Sequence, residues 1–214
     1  MIITRPKDCS EIIVHIEGKK LALIGCDVCA KLCHTGGEEE VKGYAEFYAG
    51  LGYQIVTCAQ VEGVCNELLT GKFVRSNKLL GQAETILLAS CGNGVQVLKD
   101  FLPGKNVLPI LDTLFLGSLK NHHLFQERCS LCGNCILGRT EGICPLTQCA
   151  KFILNGPCGG SMNGKCEVDP GKDCAWYQIY ERMKNRGKEH LLEGIFLPTN
   201  HSEELIPRKL NTRK

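Results

Sequence analysis

The chain has 214 residues, room for one large domain or two modest ones, with the 43% hydrophobic and 22% charged content of a globular protein. A formal net charge of +2 supplies no broad basic field for nucleic acid. No apolar run reaches the ~18 residues that span a bilayer, and the opening MIITRPKDCSEIIVHIEG lacks the apolar core and cleavage site of a secretory signal.

Strands and helices alternate through the first half. KKLALIG (19–25) is a short apolar run ending at glycine, the pattern of a buried strand. EEEVKGYAEFYAGLG follows, with Val41, Tyr44, Ala45, Tyr48 and Leu51 at helical spacing, glutamates in the first turn and Gly52 at the end. YQIVT (53–57) and TILLAS (85–90) read as further strands, with a helix interrupted by Gly71 around 65–80 between them. A helix at 93–102 carries Val95, Leu98, Phe101 and Leu102 on one side. NVLPILD (106–112) reads as a fourth strand, with Pro109 arguing against a central place in a sheet. Such alternation predicts right-handed βαβ units around a parallel sheet.

A dinucleotide-binding domain would carry G-x-G-x-x-G after the first strand, letting backbone amides approach a pyrophosphate. Here GCDVCAKLCHTGG stands in that place. Cys26, Cys58 and Cys91 are each expected just after a parallel strand, at the sheet edge where open α/β folds bind ligands. Cys29, Cys33 and Cys65 lie on the adjoining loops. These six thiols form a candidate metal site, either thiolate zinc or an iron–sulfur cluster; the spacing does not choose between them. Cys9, alone ahead of the first strand, is expected to act as a small hydrophobe.

Residues 113–128, TLFLGSLKNHHLFQER, read as a short helix and connector, with His122 and His123 solvated. From Cys129 eight thiols follow as C-x2-C-x2-C-x8-C-x4-C-x8-C-x7-C-x7-C: Cys129, Cys132, Cys135, Cys144, Cys149, Cys158, Cys166 and Cys174. Fifteen cysteines in all, an odd number, in a chain expected in the reducing cytoplasm point to metal ligands rather than disulfides. The tight C-x2-C-x2-C triplet suits a cubane, as in bacterial ferredoxins, and Cys144-Pro145 supplies a further ferredoxin-like pair at a longer separation. Eight thiols suffice for two four-thiolate clusters, or for one cluster and one zinc, and the sequence leaves their pairing open. Gly156, Gly159, Gly160 and Gly164 permit positive φ and close approach to a bulky cofactor. Apolar residues between 129 and 173 are too few for a core, so the segment is expected to need a metal staple. A helix from CAWYQIYERM onward should pack Trp176, Ile179, Tyr180 and Met183 on the cysteine loops. The basic tail NHSEELIPRKLNTRK reads as a frayed terminus.

GICPLTQCAKFILNGPCGGSMNGKCEVDPGKDCAWYQIYERM resembles the C-terminal methylenetetrahydrofolate reductase family. With GCDVCAKLCHTGG included, the whole chain resembles the MetV-type small subunits that accompany a flavin-bearing MetF-like catalytic subunit in acetogens and related bacteria. The resemblance implies an iron–sulfur and zinc subunit without folate chemistry of its own. It would carry one or two 4Fe-4S clusters and zinc, and relay electrons to or from the flavin of a partner that reduces methylenetetrahydrofolate. Lys151, Lys165 and Lys172 offer an approach for an acidic donor such as ferredoxin. The alternative is a structural zinc scaffold with no redox work. The expected architecture is α/β: a flavodoxin- or Rossmann-like parallel-sheet domain over 1–123 without a phosphate loop, then a small cysteine-rich domain over 124–214 ending in a helix. No nucleophile–base pair is evident, so the chain is expected not to be catalytic alone, and neither nucleic acid nor membrane is an expected partner.

Overall fold

The computed structural model describes residues 1–198, 200–204 and 206–212; part of the basic tail falls outside them. Two compact units divide the chain, Met1–Phe125 and Gln126–Lys214.

In the first unit a four-stranded parallel sheet has the order β3-β2-β4-β5, built from β2 (Lys20–Cys26), β3 (Gln54–Val61), β4 (Thr85–Ala89) and β5 (Asn106–Pro109). The central strands β2 and β4 pair in register from Leu21↔Thr85 to Gly25↔Ala89. They are buried on both faces, with Leu21, Leu23, Ile24, Ile86, Leu87 and Leu88 at most 1% exposed, as expected of parallel strands covered by helices. Those covers are α3 (Glu38–Gly50), α4 (Glu67–Ser76) and α5 (Gly92–Phe101). Val41 and Tyr48 of α3 are buried, and burial pushes the Tyr44 hydroxyl up to about 12. Pro109 lies in the edge strand β5, where a residue without an N–H is tolerated.

Three expectations are corrected. The second strand runs past Thr57 to Val61, so Cys58 pairs with Leu23 in mid-strand instead of capping the strand end. The fourth strand is two strands: β5 stops at Pro109 and β6 (Leu111–Asn121) starts a second, antiparallel sheet, in which it lies between β1 (Ile2–Pro6) and β7 (Leu124–Glu127). Residues 113–128, read as helix and connector, are therefore mostly a hairpin of β6 with β7 (Leu124–Glu127). Asn121 makes its turn by accepting the backbone N–H of His123. Strand β1 (Ile2–Pro6) pairs antiparallel with β6, a partner the sequence reading did not foresee. Lys7 and Arg5 clamp Asp112 of β6. The short helix α1 (Cys9–Ile13) is capped by Asp8, whose carboxylate accepts from the Ser10 N–H.

The second unit has little regular structure. Its helices are α6 (Pro145–Gln148) and α7 (Ala175–Lys184), and its core consists of Ile143, Cys174, Ala175, Trp176, Ile179, Met183 and Phe196. Trp176, Ile179 and Met183 are buried as the helical stripe predicts, and the Trp176 indole donates to the Ile153 carbonyl at 2.9 Å. Tyr180 of the same stripe is 42% exposed. Among the described residues no helix is long and apolar enough to cross a membrane.

Candidate metal centres

In the C-terminal unit, Cys149, Cys158, Cys166 and Cys174 line one cavity, together with Gln148, Lys151, Glu167 and Trp176. Each thiol arrives on a different piece of backbone. Cys149 ends α6, Cys174 caps the N-terminus of α7, and Cys158 and Cys166 sit on the loops between. Those loops hold together by paired bridges, Met162↔Lys165 and Lys165↔Asp173, and by the Cys174 N–H donating to the Gly164 carbonyl at 2.8 Å.

The backbone around Cys166 is shaped for a thiolate. The amides of Asp169 and Val168 donate to its sulfur and hold the thiol below its ordinary range. Leu131 likewise donates its N–H to Cys129 Sγ at 3.4 Å, the same two-residue turn at the start of the triplet. Such N–H···S turns stabilise negative sulfur and suit a cationic metal.

Backbone conformation follows the same cysteines. Gly156, Gly159 and Gly164 have positive φ, as the glycine pattern predicts, while Gly160 serves close approach: a side chain there would overlap the Glu167 carboxylate. Leu131, Phe152 and Asn163 also adopt positive φ without being glycine. Each lies within three residues of a cysteine and carries on the order of 1–2 kcal/mol of steric cost.

The remaining thiols of this unit are Cys129, Cys132, Cys135 and Cys144. Cys144 caps α6, and that short helix is tied to the residues just ahead of the triplet. Thr147 Oγ1 donates to the Arg128 carbonyl at 3.1 Å and Gln148 Nε2 to the Glu127 carbonyl at 2.8 Å. The three lysines offered to an acidic donor are each paired with a carboxylate: Lys151 with Glu167, Lys165 with Asp173 and Lys172 with Asp169. Their charge is spent locally, so they do not form an uncompensated cationic patch.

In the N-terminal unit Cys26 ends β2, Cys29 begins the single turn α2 (Cys29–Leu32), Cys65 lies on the loop after β3 and Cys91 caps α5. Burial raises the Cys65 thiol, and the neighbouring thiols Cys91, Cys26 and Cys29 raise it further, so these four share one electrostatic neighbourhood. Cys33 and Cys58 stand apart. Cys33 is buried and its thiol is directed at the Ile2 carbonyl, 3.7 Å away. Cys58 is exposed in mid-strand, and burial of its sulfur alone raises it. His122 and His123 are exposed at the hairpin turn, with the His123 ring 5.6 Å from that of His34. Cys9 lies beside Tyr44 and Tyr48.

Among the described residues no three His, Cys, Asp or Glu side chains are close enough to hold one metal ion as they stand, and no cysteines are disulfide-bonded. Residues 108–202 match the family model for the methylene-tetrahydrofolate reductase C terminal. That segment contains all eight C-terminal cysteines and every backbone turn just described around them. Neither the comparison with curated proteins nor that with solved structures finds a match.

Proposed function

We propose that this chain is an iron–sulfur and zinc subunit that relays electrons for a flavin-containing methylenetetrahydrofolate reductase partner of MetF-like type. One observation carries it: within the segment that matches the reductase family model, Cys149, Cys158, Cys166 and Cys174 converge on one cavity from separate loops. Those four would hold one centre, leaving Cys129, Cys132, Cys135 and Cys144 for another. The donor set fits, because four soft thiolates, with backbone N–H support at Cys166, select zinc or an iron–sulfur cluster over hard cations.

A thiolate-bound iron–sulfur centre, when present, supplies one-electron transfer at a potential set by its protein surroundings. The chain's own part is to fix the sulfurs and their charge. Val168 and Asp169 amides stabilise negative sulfur at Cys166, Lys151 adds a cation, and Glu167 joins Lys151 to the Cys158 thiol at 3.4 Å. Trp176, itself buried, forms part of the cavity wall.

The structural zinc reading has its own support in size. The cavity between the four thiols is about 20 Å³, room for one ion or one water-sized sphere. Metal and acid-labile sulfide analysis of anaerobically purified protein separates the two readings. Iron with matching sulfide and a reducible absorbance is the expected result; colourless protein holding only zinc would end the relay. Reductase activity with reduced dye should require both this chain and the flavoprotein, and an unchanged rate with the flavoprotein alone would remove the partnership.

A further inference from the structure

Basic side chains of α7 and of the chain beyond it turn back on the stretch between Cys129 and Cys144. We propose that this basic C-terminal segment is an internal clamp that fixes the shape of the loop bearing Cys129, Cys132 and Cys135, with Arg208 and Glu141 as its positioning residues. What the clamp does for metal retention rests on the ligand reading of the triplet above; the clamp itself does not.

The two gripped residues are those whose backbone most needs holding. Leu131 and Glu141 have φ of 61° and 46°, in the left-handed region. Neither is glycine, so each conformation is costly unless its surroundings enforce it. The Leu131 side chain is 51% exposed and gives little packing in return. Its peptide groups are held instead. Its N–H donates to Cys129 Sγ at 3.4 Å, and its carbonyl accepts from the Arg208 guanidinium, 77 residues on, at 3.1 Å. Glu141 is held by three cations. Arg182 donates to its carbonyl at 3.0 Å, Arg186 to one carboxylate oxygen at 2.7 Å and Lys188 to the other at 2.9 Å. The Glu141 side chain is 10% exposed, so these bonds are less screened than ordinary surface pairs.

Between the two grips the C-terminal segment is seated a third time. Phe196 is 9% exposed, and Asn155 brackets its backbone: Nδ2 donates to the Phe196 carbonyl at 2.9 Å, and the Phe196 N–H donates to Oδ1 at 2.6 Å. Arg139 lies over the Phe196 ring, 5.5 Å from its centre. Leu197 and Pro198 line one cavity with Cys135 and Ile136. Lys188, Phe196 and Arg208 thus meet Glu141, Arg139 and Leu131 in that order, antiparallel to the stretch they hold. A frayed basic terminus would leave its cations in water. Here Arg182, Arg186, Lys188 and Arg208 all reach acceptors at the two ends of residues 131–141. A loop held in this way presents Cys132 and Cys135 in one arrangement, and partners that orient a ligand loop slow its loss of metal.

Full-length protein, purified without oxygen, is compared with Arg208→Gln, Arg208→Lys, Glu141→Gln and Lys209→Gln by amide exchange read by mass spectrometry. Arg208→Gln should speed exchange over residues 130–136 on the order of tenfold, and Glu141→Gln should do the same over 137–143. Strands β2 and β4 serve as the reference and should not change. Arg208→Lys keeps a donor for the Leu131 carbonyl and should recover most of the protection. Lys209→Gln removes a neighbouring charge that makes none of these bonds, and should lose no protection. Wild-type exchange in both Arg208→Gln and Glu141→Gln overturns the clamp. Equal loss in Lys209→Gln and Arg208→Gln also overturns it, by assigning the effect to net charge. Withdrawal of metal by a chelator should quicken in Arg208→Gln alongside its exchange. Faster exchange with unchanged withdrawal supports the clamp and removes the triplet from the metal ligands, so the two readings fail separately.

Discussion

The two units reach a fixed structure by different means. In the first, Leu21, Leu23, Ile24, Ile86, Leu87, Leu88 and Leu98 are essentially fully buried, and backbone hydrogen bonds are closed within sheet and helix. In the second, among the described residues, Ile143 is the one buried core side chain upstream of Cys174, with Ile136, Cys149 and Leu154 partly buried against the core, while Leu131, Phe152, Met162 and Val168 are more than half exposed. A hydrophobic core holds the first unit; the second spends its sequence on cysteines, glycines and left-handed turns. Those features make sense if metal–thiolate bonds replace buried apolar area as the source of stability.

The largest effect follows directly. Stripping metal from the whole protein should unfold residues 129 to about 173, because structural thiolate metals contribute on the order of 10–16 kcal/mol to small folds. Amide exchange followed across both units should show protection vanishing there while β2 and β4 keep theirs. Native-like protection in the stripped C-terminal segment would show that its loops need no staple.

A core truncation sharpens the same contrast from the other side. Trp176→Ala removes a 2% exposed ring and its hydrogen bond to Ile153, at a cost of about 3–5 kcal/mol. Leu87→Ala in the first unit costs a comparable ~2–5 kcal/mol. The outcomes should differ: the first unit, with many other buried residues, stays folded, whereas the second loses its cooperative transition. Equal retention of structure in both variants, measured by thermal unfolding of the metal-loaded protein, would erase the distinction.

Thiols sort the same way one at a time. Cys132→Ser should lower metal content more than Cys9→Ser, since Cys132 is the middle of the triplet and Cys9 lies beside Tyr44 and Tyr48. Equal metal content in the two variants would mean that the triplet is not a ligand loop.

Legibility also differed between the two regions. The parallel sheet could be read because KLALIG and TILLA are continuous apolar runs, which parallel strands buried on both faces require. The antiparallel sheet could not. Its strand β1 is five residues long, and β6 shows no clean alternation, with Phe115 and Leu116 both half-buried and Leu114 and Leu119 exposed. The Asx turn at Asn121 was the available signal for the hairpin. At the candidate sites, cysteine spacing pointed toward metal ligation but not to which thiols share a cavity. Cys149 and Cys174 are 25 positions apart yet line one cavity, and Cys58 stands in mid-strand because β3 continues three residues beyond it.

The smallest predicted effect tests the first unit's polar fastening. Lys7 and Arg5 hold Asp112 across the β1–β6 pair. The hydrogen bond from Lys7 leads in keeping the Asp112 carboxyl below its ordinary value of 3.8, with Arg5 adding to it. A carboxyl lowered in the folded state contributes stability that is fully present above its unfolded value and is lost as pH falls through the folded one. Acidification from neutrality to about pH 3 should therefore loosen β1 from β6 in the wild type. Asp112→Asn should lower the midpoint slightly at neutral pH and flatten this acid dependence, because the neutral amide has no proton to gain. The Lys7–Asp112 pair is only partly buried, so the effect should also shrink in high salt. An unchanged acid dependence in Asp112→Asn, measured as amide protection of β1, would place the fastening in the strand ladder and not in the ion pairs.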